Sequence, residues 1–111
     1  IKEVVQHLND TERILSYRAL RFARNDATEL AGFEENDYVP EAETGRRTLE
    51  DLMHEHNIIR QATIVLFSSF TPEMLLRSGL ANGKRISVRA LGWSIAGHAM
   101  HHADILEQRY N

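Results

Sequence analysis

The chain contains no cysteine, so it can form neither a disulfide framework nor a thiolate metal site. Any metal it binds must be held by His, Asp or Glu side chains. No apolar run approaches the ~20 residues needed to span a bilayer, so no membrane partner is expected. Lys and Arg are scattered rather than gathered into a run, and a nucleic-acid binder would concentrate them on one face. No nucleic-acid partner is expected either. No signal peptide is visible, nothing indicates secretion, and the expected compartment is the cytoplasm. There is no initiating Met: Ile1 already lies inside what reads as a helix, so a further N-terminal segment is expected before it. What remains is ordinary for a globular protein. The 111 residues are 42% apolar and 26% charged, which fits one domain over residues 1–111.

The net charge of −3 is unevenly spread. Residues 25–45 hold seven acids and no Lys or Arg, leaving 13 basic against 9 acidic residues elsewhere. This stretch shows no helical period and carries Gly32 and Pro40 as turn formers, with Phe33 and Tyr38 as its aromatics. It is long for a connection inside a compact domain. It reads as a crossover, and equally as a lid pinned by Phe33 and Tyr38 over one end of a bundle.

Either side of it the pattern is helical. Over residues 1–24, with His7 at zero degrees, Val4, Thr11, Ile14, Leu15, Arg18 and Phe22 fall within about −20 to +80 degrees. Arg18 is the one charge inside that arc and should snorkel or pair with a buried acid. Thr44 is a candidate cap for a second helix running to about Phe70. Thr71-Pro72-Glu73 signals the start of a short helix that Gly79 would stop. Asn82-Gly83 is a turn dipeptide, followed by extended residues to Ile86. Ser87 is a good cap for the last helix, with Ile86 and Leu91 spaced as a hydrophobic staple.

The last helix carries three of the six histidines within five residues. With His98 at zero degrees, Leu91, Ile95, His102, Ile105 and Leu106 share its arc and His101 falls outside it. His98 and His102 are four apart and stack on one face, the spacing at which two imidazoles hold one metal ion. His101 competes as a partner for His98 at three-residue spacing. Position 99 is Ala, so the protease pattern His-Glu-x-x-His is absent. Ser94, Ala96, Gly97 and Ala99 are small enough for a neighbouring helix to pack closely. His7, at the edge of the first helix's arc, is the natural third ligand, although a local hydrogen bond would also explain it. Asp10 and Glu12 could orient an imidazole from outside the ligand set, or be solvated charges. With Tyr17 they are the candidates for a general base, and none stands out. His54 and His56, two apart, point away from each other and read as ordinary polar residues.

The run Ile1-Lys2-Glu3-Val4-Val5-Gln6-His7-Leu8-Asn9-Asp10-Thr11-Glu12-Arg13 resembles the helix that carries the first metal histidine in the DinB-like family. This is the family of metal-dependent bundle proteins named for damage-inducible expression. Tyr17 through Arg24, Gly32-Phe33, Ala81-Asn82-Gly83, Ile86 through Ala90, Ile95 through His98 and His101-His102 add to the likeness, which covers nearly the whole chain. The resemblance implies an all-α fold, an up-down-down-up four-helix bundle with a three-histidine metal site at His7, His98 and His102. The family's first helix has no counterpart here. Related proteins include transferases that use small thiols such as bacillithiol or mycothiol. The expectation is therefore a metal-dependent transferase or hydrolase acting on a small molecule, with Zn or Ni at the three histidines and His101 as an outer neighbour. The alternative is a non-catalytic bundle with a structural metal or an oligomerising role, such as a homodimer.

Overall fold

The computed structural model describes the backbone of residues 1–110 and the side chains of residues 1–103. Ile105 and Leu106, assigned above to the apolar arc of the last helix, lie outside the described side chains. Three long helices dominate: α1 (Lys2–Ala23), α3 (Leu49–Ser68) and α5 (Val88–Tyr110). Two short helices, α2 (Glu35–Glu41) and α4 (Pro72–Leu76), and a hairpin of β1 (Ser78–Ala81) and β2 (Lys84–Ser87) complete it. The protein is mostly helical. No helix is long and apolar enough to cross a membrane.

Local sequence accounts for most boundaries. α1 has no interior Gly or Pro, and Asn25, in the left-handed conformation at φ 59°, ends it. Thr71 caps α4 by accepting from the Met74 N–H, and Ser87 caps α5 by accepting from Ala90. Asn82 and Gly83 both have positive φ, the backbone of a two-residue hairpin turn whose twist suits the flanking strands.

Four expectations fail. Thr48, not Thr44, caps α3, accepting from the Asp51 N–H at 3.0 Å. Thr44 instead opens a 3-10 turn (Thr44–Arg46) that absorbs the end of the crossover. Gly79 does not stop α4, which ends at Leu76; it sits in β1, paired with Ile86. There it passes the Phe22 ring so closely that a Cβ would lie 2.3 Å from a ring carbon. Residues 25–45 are not wholly irregular, because α2 forms inside them with Pro40 in its second turn. That proline removes only one hydrogen bond from a helix that ends one residue later. Gly97 meets no neighbour within 4 Å of its would-be Cβ, whereas Gly92 is the position where α5 admits the Phe67 ring of α3.

α1 is the central helix, packed on α3 along one side and on α5 along the other. Its partners on α3 rise in step with its own numbering, from Asn9 with Leu52 and Glu55 to Glu12 with Arg60 and Ser16 with Thr63. The two helices therefore run parallel, and parallel neighbours need a long crossover. On the other side His7 meets His98, while Phe22 shares a core with Val88 and Leu91, so α5 runs antiparallel to α1.

The core lies at the far end from His7. Ala19, Phe22, Ala23, Leu30, Val88 and Leu91 are buried together there. Leu30 also fixes the crossover: its N–H donates to the Leu80 carbonyl and its carbonyl accepts from the Asn82 N–H. The α1–α3 seam is polar. Asn9 is fully buried, and its side chain donates to the Leu52 carbonyl and to Glu55. Glu12, 4% exposed, takes hydrogen bonds from Arg60 and Thr63. The apolar arc read from the sequence is thus only one of two buried faces of α1.

Candidate metal centre

The open end of the α1–α5 pair is where the histidines meet. His98 Nε2 lies 3.1 Å from His7 Nε2 and 3.0 Å from His102 Nε2. The three rings stand edge to face, with centroids 4.5–5.2 Å apart. All three side chains are half-buried. The placement follows from two local rules: the i, i+4 spacing stacks His98 on His102, and antiparallel packing brings the N-terminal part of α1 against this stretch of α5.

Hydrogen bonds cannot account for the cluster. An imidazole nitrogen carries either one proton or one lone pair, so His98 Nε2 can form one good hydrogen bond and not two. A shared cation would satisfy all three lone pairs. Two metal–nitrogen bonds of about 2.0–2.1 Å set their nitrogens about 2.9 Å apart at a right angle and about 3.3 Å apart at a tetrahedral angle. The observed 3.0 and 3.1 Å fall between these values. The donor set, three imidazoles without thiolate, suits a divalent ion such as Zn or Ni. These residues could therefore hold one metal ion.

The surroundings favour neutral, ligating imidazoles. Burial lowers the pKa of His98, and the neighbouring His102 and His7 lower it further. Burial also lowers that of His102, helped by His7 and His101 and opposed by Glu35. On the outer side of His7, Thr11 Oγ1 lies 3.5 Å from Nδ1, one helical turn on. With Nε2 turned to an ion, Nδ1 carries the proton and Thr11 is placed to accept it.

Of the other expected residues, Glu12 and Tyr17 lie elsewhere. Glu12 faces α3 and is committed to Arg60 and Thr63. Burial pushes its carboxyl up, but those hydrogen bonds outweigh burial and hold it below the usual glutamate value. Asp10 accepts from Gln6 at 2.9 Å. Tyr17 is half exposed and takes a hydrogen bond from Arg21. Glu12 thus lies on the face of α1 packed on α3 and Tyr17 on an exposed face, whereas Asp10 stays near the site and lines the small cavity that also holds His7 and Glu35. His101 is an outer neighbour, its ring centroid 5.5 Å from that of His102. His56 is an ordinary polar residue, Nδ1 donating to Asn9 Oδ1 at 3.0 Å.

Two residues at the site were missed. One is Thr11, which the i, i+4 spacing from His7 could have revealed. The other is Glu35, whose Oε2 lies 3.8 Å from His7 Nε2. It begins α2, and no periodicity in the acidic crossover links it to α1. The crossover does lie over the site: Phe33 stacks at a tilt on Tyr38 with centroids 5.2 Å apart, and both approach His7 across a small cavity. A larger cleft of about 330 Å³ opens beside His98, lined by Arg18, Phe33, Glu35, Asn82 and Ser94 among others. Arg18 does not snorkel freely, and among the described residues it pairs with no acid. Its guanidinium donates to the Ala31 carbonyl at 3.1 Å and lies 5.7 Å from the Phe33 ring centroid.

No curated protein and no solved structure matches the chain. A family model does, that of the DinB superfamily, over residues 1–106. A match over that share of the sequence, with the histidines of both helices inside it, places this chain in the DinB superfamily.

Proposed function

We propose that the protein is a metal-dependent enzyme in which His7, His98 and His102 hold one divalent ion, Zn or Ni, and leave part of its coordination sphere open to a small-molecule substrate. The observation that carries this reading is the convergence of three Nε2 atoms that hydrogen bonding cannot satisfy. An ion bound there would act as a Lewis acid, favouring transfer of a small thiol to an electrophile or hydrolysis. The chain's own contribution is orientation and enclosure. Thr11 orients the His7 ring, and Phe33 and Arg18 wall the cleft beside His98. The Arg18 guanidinium, held by Ala31 and Phe33, offers a fixed positive charge to a substrate anion.

We place the chain within an up-down-down-up four-helix bundle. Support comes from the parallel α1–α3 pair and from apolar side chains that a fourth helix would cover. Val65 and Trp93 are each 70% exposed, and Ile58, Ile64 and Met100 are also exposed. The same residues favour a second reading, a non-catalytic bundle that oligomerises through these faces. Metal analysis of the purified protein beside His98→Ala and His102→Ala decides the first point: equal metal in all three removes the metal-site reading. Consumption of a small thiol in the presence of an electrophile by the metal-loaded protein, absent from the triple histidine variant, would support the transferase. Sedimentation as a monomer would remove the oligomerising alternative.

A further inference from the structure

The acidic crossover holds seven carboxylates, and one of them is set apart by its position. Asp26 is paired with Arg21, and Glu43 with Arg46. Glu35 has no Lys or Arg partner among the described residues; its carboxylate faces the histidine cluster and comes within 3.8 Å of His7 Nε2. Two donors bound to one ion at about 2.0–2.2 Å can lie at most about 4.0–4.4 Å apart, so the His7–Glu35 separation is already within reach of a common ion. The carboxylate is acceptor-only, matches hard divalent ions and would offset part of the charge on an ion held by three neutral imidazoles.

Glu35 is also held in place from both sides. It is the first residue of α2, directly after Phe33-Glu34, and the Phe33 ring is fixed between Tyr38 and the Arg18 guanidinium. Further back, Leu30 ties the crossover to the hairpin by two backbone hydrogen bonds. The carboxylate therefore arrives at the histidines on an anchored segment, not on a free loop. A solvated glutamate passing near a histidine would need none of this, and its side chain, 53% exposed, keeps one edge toward the cleft beside His98.

We infer that Glu35 is a fourth protein ligand, so that the ion at His7, His98 and His102 also clamps the crossover helix onto α1 and α5. The inference rests on the three-histidine reading. Its consequence is that an ion active in catalysis must accept more than four donors, as nickel and five-coordinate zinc do.

The test uses the full chain titrated with Co²⁺ in competition with a chelator, reading affinity and the visible spectrum, with chymotrypsin cleavage at Phe33 and Tyr38 of the crossover as a second readout. Glu35→Gln should weaken affinity about tenfold to a hundredfold, alter the Co²⁺ spectrum and abolish metal-dependent protection of the crossover. Glu34→Gln should behave as wild type. Wild-type affinity, spectrum and protection in Glu35→Gln, with metal lost in His98→Ala, would overturn the role of Glu35 and leave the three-histidine site standing. If wild type and His98→Ala bind Co²⁺ equally, both readings fall.

Discussion

Arg60 reaches across from α3 and grips both carboxylate oxygens of Glu12, with Nη2 2.8 Å from Oε1 and Nε 3.1 Å from Oε2. Thr63 adds a third donor at 2.7 Å. The pair sits in the middle of a polar seam between two parallel helices, and it is buried on the Glu12 side alone. Removing one partner of such a pair leaves the other charge unsatisfied. Arg60 keeps partial access to water, so Glu12→Gln should cost about 2–3 kcal/mol, less than a fully buried pair. Urea denaturation of the two proteins measures this.

The same carboxylate makes stability depend on pH. Its pKa in the folded protein is held below the usual 4.5, so the unfolded chain binds the proton more readily. Stability from this group is therefore complete above pH 4.5 and is lost as pH falls through the folded value. The deficit of Glu12→Gln relative to wild type should be constant from pH 5 to 7 and shrink in acid. A deficit that grows on acidification would contradict the assignment of the charged form to the native seam.

At the histidine cluster, a divalent ion that binds the folded chain should stabilise it by mass action. A hundredfold excess over Kd adds about 2.7 kcal/mol, which for a chain of this size raises Tm on the order of 10 °C. Thermal scans with Zn²⁺ or Ni²⁺, before and after a chelator, should show the shift and its reversal. His98→Ala should show neither, because His98 Nε2 is the atom shared by both short contacts.

Gly79→Ala tests the other end of the molecule. The added methyl would lie 2.3 Å from a carbon of the Phe22 ring, and Phe22 is fully buried. Neither the ring nor strand β1 can retreat without disturbing the core, so the substitution should cost about 1–3 kcal/mol while leaving metal content unchanged. The corresponding change at Gly97, where nothing lies within 4 Å, should be neutral or slightly stabilising in a helix.

Thr44 and Thr48 should respond in opposite ways. Thr48→Ala removes the cap of α3 and should cost about 1 kcal/mol. The Thr44 hydroxyl is buried with no hydrogen-bond partner among the described residues, so Thr44→Val should be neutral or stabilising. Equal losses at both positions in thermal denaturation would return the cap to Thr44.

The sequence by itself determined the features that depend on neighbours within about one turn of chain. The helical spans of α1, α3 and α5, the caps at Thr71 and Ser87, the Asn82-Gly83 turn and the stacking of His98 on His102 all follow from local periodicity and hydrogen-bonding chemistry. It also singled out His7 as the histidine able to join them. Only the tertiary structure decided what each helix faces. α1 is enclosed on two sides, so Glu12, in the turn after His7, belongs to a seam with Arg60 and not to the histidines. Glu35 reaches His7 because the crossover is folded back over the bundle end, a closure of residues 28 apart that no periodic pattern records. Helical spacing fixes which residues share a face; which face meets which is settled by the burial and polar pairing of the whole chain at once.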